Sequence, residues 1–148
     1  MSIDNDLDPT AVGPNPDLRS LDRLIGTWSL SGDTDGTVRF EWMEGGYFLL
    51  QHIDMTLHGH HVKGLEVIGH WQPFGEQAPT EIASRAYDNN GNTLDYVYEV
   101  GEHTLTIWAG GTGSPSFYRG EFSADGNINS GTWVYHGGGY QSTMTRKS

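Results

Sequence analysis

The sequence predicts an all-β protein: a closed antiparallel up-and-down barrel of about ten strands with a short N-terminal helix. Three observations carry that expectation. After Gly26 the apolar pattern changes from a helical period to a period of two and keeps it to the end of the chain. Clusters of Gly, Asn, Asp and Pro divide it into runs of about five to ten residues, with no helical stretch long enough for a parallel crossover. The composition agrees, since 21 Gly, 5 Trp, 7 Tyr and 5 Phe among 148 residues supply tight turns joined by aromatic strands. Closure is favoured because an open meander would leave two long aromatic edges unpaired.

Residues 1–14, rich in Asp, Asn, Pro and Gly, read as a disordered acidic tail ahead of a single barrel domain at 15–148. In "NPDLRSLDRLIG" Asn15 suits a helix cap, Pro16 the first helical position and Asp17 the positive end of the dipole, and Gly26 ends the run. Leu18, Leu21, Leu24 and Ile25 share its apolar face, which should plug one mouth of the barrel. The expected strands follow: "TWSLSG", "TVRFEWME", "YFLLQHIDMTL", "VKGLEVIGHWQ", "TEIASRAYD", "TLDYVYEV", "TLTIWAG", "SFYRGEFS", "NSGTWVYH" and "YQSTMTRK". Between the third and fourth, "HGHH" reads as a turn, and "NNGN" carries the Asn-Gly step of a tight hairpin.

The bulk properties exclude several functions. A formal net charge of −11 repels phosphate backbones, so nucleic acid is not an expected partner. Without cysteine there are no disulfides, thiolate catalysis or Cys-based zinc sites. No run approaches the ~18 apolar residues of a membrane helix, and the N-terminus lacks a positive leader and an apolar core. The expectation is a cytoplasmic protein with no membrane partner. No Gly-x-Ser-x-Gly elbow, Walker loop, His-Glu-x-x-His or dinucleotide fingerprint occurs, so hydrolase and nucleotide chemistries lose their usual support.

The short helix followed by Gly26-Thr27-Trp28 resembles the opening motif of the calycin group, which includes lipocalins and fatty-acid-binding proteins. That resemblance implies a basic residue near the end of the last strand, packed across the Trp to close the barrel base, and Arg146 in "TMTRK" stands at the matching place. The stretches "GGYFLLQ", "GLEVIGHW", "YDNNGNTLDY", "EFSADGNINSGTW" and "STMTR" also resemble a bacterial family of lipocalin-like proteins with no assigned function. Haem-binding nitrobindin-like barrels also begin with Gly-x-Trp, and for them the resemblance implies an iron-ligating His near the C-terminus. The closing "YQSTMTRKS" has no His, and His136 precedes the "GGG" break, so no cofactor is expected.

Alternation nominates the interior. "LDYVYEV" turns Tyr96 and Tyr98 inward with Leu94 and Val100, "SFYRGEF" aligns Tyr118 with Gly120 and Phe122, and "GTWVY" aligns Trp133 with Gly131 and Tyr135. With Phe40 these aromatics form the expected ligand wall, above a base closed by Trp28 and Arg146. Such residues can also fill a small barrel solidly, but their polar tips favour a cavity in which hydrogen-bond partners are available. Arg39, Arg85 or Arg119 could offer one carboxylate contact.

In "FLLQHIDMT" neither face is cleanly apolar. With Phe48, Leu50, His52, Asp54 and Thr56 inward, His52 and Asp54 form a candidate general acid–base pair; with Ile53 and Met55 inward, that pair lies in water. Glu66 and His70 share one face of "GLEVIGHW", and Leu65 and Val67 compete for the interior. His58, His60 and His61 read as a solvated hairpin tip with no functional metal, positioned to gate ligand entry with pH. The leading expectation is a protein that binds a small, largely apolar or aromatic molecule. The alternatives are a barrel enzyme of isomerase, cyclase or proton-transfer type using His52 and Asp54, a nitrobindin-like haem protein, and a homodimer joined through an outer face carrying Ile53, Met55 and Leu57.

Overall fold

The computed structural model describes residues 13–148, so residues 1–12 of the expected acidic tail lie outside the described residues. Ten antiparallel strands follow one another: β1 (Gly26–Gly32), β2 (Thr34–Trp42), β3 (Phe48–Leu57), β4 (His60–Gly69), β5 (Ile82–Asp88), β6 (Thr93–Val100), β7 (Thr104–Ala109), β8 (Phe117–Phe122), β9 (Ile128–Tyr135) and β10 (Gly138–Arg146). Each pairs with its sequence neighbours, and β1 also pairs with β10 through Trp28 opposite Arg146 and Leu30 opposite Met144. The barrel is therefore closed and has no free edge.

An up-and-down order puts the β1–β2, β3–β4, β5–β6, β7–β8 and β9–β10 connections at one end of the strands and the start of β1 and the end of β10 at the other. That second end, the base, is plugged by a 3₁₀ helix at Pro16–Leu24, capped as expected by Asn15, whose side chain accepts from the Asp17 amide. Its type follows from spacing: Leu18, Leu21 and Leu24 recur every third residue, and three residues per turn stack them in one row. All three are completely or almost completely buried, which stabilises the plug by about 1.5–3 kcal/mol per side chain.

Polar contacts fix the plug's orientation. Trp28 is fully buried and donates from Nε1 to the Leu24 carbonyl at 2.8 Å. The Arg146 guanidinium lies 4.1 Å from the centre of the Trp28 ring and donates to the carbonyls of Arg23 and Ile25. Base closure by Trp28 and Arg146 is thus present in the described residues. Trp42 donates to Asp22 at 2.9 Å, Arg23 donates to the Gly101 and Glu102 carbonyls, and both ring nitrogens of buried His70 meet oxygen acceptors, the Glu81 carbonyl and Asp17 Oδ1.

Strands β8 and β9 are pressed together at Gly120, which faces Gly131 across the ladder. A Cβ built on Gly131 would lie 2.1 Å from the Arg119 carbonyl oxygen and 2.4 Å from the Gly120 Cα, so this bend admits only glycine.

Candidate functional site

Above the plug the barrel encloses a cavity of about 180 Å³. Eight strands leave an interior that side chains can just fill or that holds one small molecule, and ten leave more room. Apolar side chains of Leu30, Val38, Phe40, Ile53, Met55 and Ile107 form much of the lining. One wall is aromatic: the Trp133 ring centre lies 5.6 Å from that of Tyr118, 5.8 Å from Tyr96 and 6.4 Å from Tyr140. These are ordinary separations for interacting rings, and they carry the ladder from the interior toward the open end at Tyr140.

Glu66 stands on β4. Counting either way round the ring of ten, β4 lies five strands from β9, so Glu66 and Trp133 belong to opposite walls. The carboxylate is only 3% exposed and is held by donors from three strands. Gln51 Nε2 on β3 reaches it at 2.5 Å, Ser84 Oγ on β5 at 2.5 Å, and the Tyr98 hydroxyl on β6 at 2.8 and 2.9 Å from its two oxygens. Register brings them together, because Gln51 and Ala86 flank Glu66 across their ladders and Ser84 lies one inward position along β5.

Burial raises the Glu66 pKa above the usual carboxyl value, opposed by the hydrogen bonds from Ser84, Tyr98 and Gln51. Tyr98 is held well above the usual phenol value, first by burial and then by the adjoining Glu66 charge. Burial also pushes Tyr140 up to about 12. The interior therefore presents neutral phenols and one hydrogen-bonded carboxyl that can accept a hydrogen bond, face a positive charge or exchange a proton. Tyr118 donates to Asn129 Oδ1 at 2.7 Å, and the buried Asn129 Nδ2 has no partner among the described residues.

Of the residues nominated from sequence, Phe40, Tyr96, Tyr98, Tyr118 and Trp133 line this cavity, whereas Trp28 and Arg146 sit beneath it in the base. Glu66 takes the interior, and Leu65 and Val67 point away from it. His70, on the same face as Glu66, belongs to the base rather than the cavity.

The proposed His52–Asp54 pair is corrected by its position. Both side chains lie on the outer surface, 40% and 60% exposed, and each contacts a different partner. His52 Nε2 is 2.6 Å from Glu41 Oε2, and His61 Nε2 is 2.7 Å from Asp54 Oδ1. These contacts lower the pKa of both carboxyls; for Glu41 the His52 bond leads and Arg39 follows. The physical reason is the choice of face: Ile53 and Met55 line the cavity, where apolar burial is favourable, and the solvated His and Asp stay in water.

The same choice removes the outer apolar face imagined for a homodimer, since Ile53 and Met55 point inward. Nor do the three arginines line the cavity. Arg39 pairs with Glu41, Arg85 with Asp95 beneath Trp71, and Arg119 packs over Trp108 and Phe117.

The histidine hairpin is shorter than the sequence suggested. Only His58 and Gly59 turn, both at positive φ (50° and 80°), as a two-residue hairpin requires, while His60 and His61 begin β4. His58 stands edge-on to Tyr140 with ring centres 5.8 Å apart. Among the described residues no group of three or more His, Asp or Glu side chains is arranged to hold a metal. The cavity lining contains no His, and His136 lies exposed on the β9–β10 turn, so the axial His implied by the nitrobindin-like resemblance has no counterpart facing the cavity.

Sequence reasoning missed Gln51, Ser84 and Tyr140. The one signal for Gln51 was its place on the Ile53 and Met55 face, and the signal for Tyr140 was its alternation with Ser142 and Met144. No protein-family model and no curated protein matches this chain.

Proposed function

We propose that this chain is a calycin-like binding protein of the lipocalin-like kind, which holds a small, largely apolar or aromatic molecule inside its barrel. One observation carries the reading: a barrel plugged at one end keeps a cavity of about 180 Å³ lined by apolar and aromatic side chains with a few converging polar groups. That combination is the usual make-up of a small-molecule site. A plugged base and a sheet without free edges favour a container over a docking surface, and the polar tips of Tyr96, Tyr98 and Glu66 favour orientation of a guest over a dry core.

Titration with a neutral one-ring probe, 2-phenylethanol, followed by calorimetry and by tryptophan fluorescence, tests the reading. Saturable binding of one molecule per chain, weakened in Trp133→Ala while the variant keeps its β-sheet circular dichroism, is the expected result. Absence of binding by this probe and by its charged analogues, with no retained mass in native mass spectrometry of freshly purified protein, would remove the proposal.

A further inference from the structure

We infer that the guest is a small amine, bound with its protonated nitrogen at Glu66 and its apolar body against the Trp133 wall, and that carboxylates are rejected. The inference rests on the binding reading above and adds the chemical class. Among the residues lining the cavity there is no Lys, Arg or His, and the two that carry carboxyls are Glu66 in the interior and Asp88 near the open end. An anionic guest entering this space meets only like charge. A cation supplies the positive counter-charge that the cavity lining itself lacks.

Hydrogen-bond counting leaves room for that contact. A carboxylate offers about four lone-pair positions. Gln51 and Ser84 take one position on each oxygen, and the single hydrogen of the Tyr98 hydroxyl is shared between the two oxygens, so when it settles on one it frees a position on the other. A charge-assisted N⁺–H bond from a guest would fill it and offset the burial of the charge. On the opposite wall the rings of Trp133, Tyr118 and Tyr140 present π surface, which attracts cations and packs well against aromatic bodies. Size sets the body. Apolar cavities of ~150 Å³ accept a benzene ring, so one ring or a compact aliphatic body with a short aminoalkyl arm fits the space here.

Isothermal titration of the full chain at pH 7 with 2-phenylethylamine, 2-phenylethanol and 3-phenylpropionate distinguishes charge from shape. The expected order is amine tighter than alcohol by about tenfold or more, the difference between a charged and a neutral hydrogen bond, with no binding of the propionate. In Glu66→Gln the advantage of the amine over the alcohol should disappear, the two probes then binding with the same affinity. Propionate binding as well as the amine, or amine affinity unchanged in Glu66→Gln, would overturn the inference and leave the binding cavity standing. Failure of all three probes would overturn both. Should Glu66→Gln not fold, the order of the three probes on the wild-type chain decides alone.

Discussion

Glu66 shows how one residue couples cavity chemistry to stability. Its folded-state pKa is raised by burial above the ordinary value of 4.5, so in the folded chain the proton is held more tightly than in the unfolded one. Below that ordinary value both states carry the proton and Glu66 contributes its full share. As pH rises past it, the unfolded chain ionises first and gains relative to the folded chain, until the folded group ionises too and the loss is complete. The thermal midpoint of the wild type minus that of Glu66→Gln should therefore fall as pH climbs above 4.5 and then level off. Taking the difference removes the outer carboxyls with depressed pKa values, Glu41, Asp54 and Asp95, whose stabilisation runs in the opposite sense and is lost toward acid pH. A difference that stays flat with pH would show that Glu66 ionises as freely folded as unfolded.

At the scale of the element, the 3₁₀ helix is a plug whose strength lies in three leucines. Leu21 is completely buried between Leu18 and Leu24 in the same row, so Leu21→Ala should cost about 2–5 kcal/mol in urea denaturation. The loss should also speed release of a bound probe, because the base loosens. Much of this element was legible: the cap, the proline, the apolar face and its destination all follow from "NPDLRSLDRLIG", and only the tighter helix type does not. The strands divide more sharply. In "LDYVYEV" the acids Asp95 and Glu99 mark the outer face, and Tyr96 and Tyr98 fall inside as expected. In "FLLQHIDMT" Phe48 and Leu50 share a face with His52 and Asp54, and local pattern gives no reason to prefer either side. What decides is nonlocal: β3 pairs with β2 and β4 so that Val38, Ile53 and Gly64 line up across three strands. The Glu66 cluster was hidden for the same reason, since Gln51, Ser84 and Tyr98 come from three other strands and meet only when register is fixed.

For the molecule as a whole the question is why the interior is hollow at all. Filling a void is among the commonest ways to stabilise a protein, and a site that binds a guest gives up that stability for function. Val38 tests the trade. It lines the cavity from β2, faces Trp28 and Ile53 across its ladders, is 3% exposed, and takes no part in the hydrogen bonds that hold Glu66. Val38→Phe places a ring in the hollow. If the space is open, the variant should gain about 0.5–2 kcal/mol, as cavity-filling changes do, and should lose binding of 2-phenylethanol and 2-phenylethylamine together. If the interior is packed solid, the same ring has nowhere to go, and the variant should lose about 1–3 kcal/mol as overpacked cores do. Urea denaturation gives the sign and titration gives the occupancy. A stabilised chain that no longer binds would identify the cavity as space kept open for a guest.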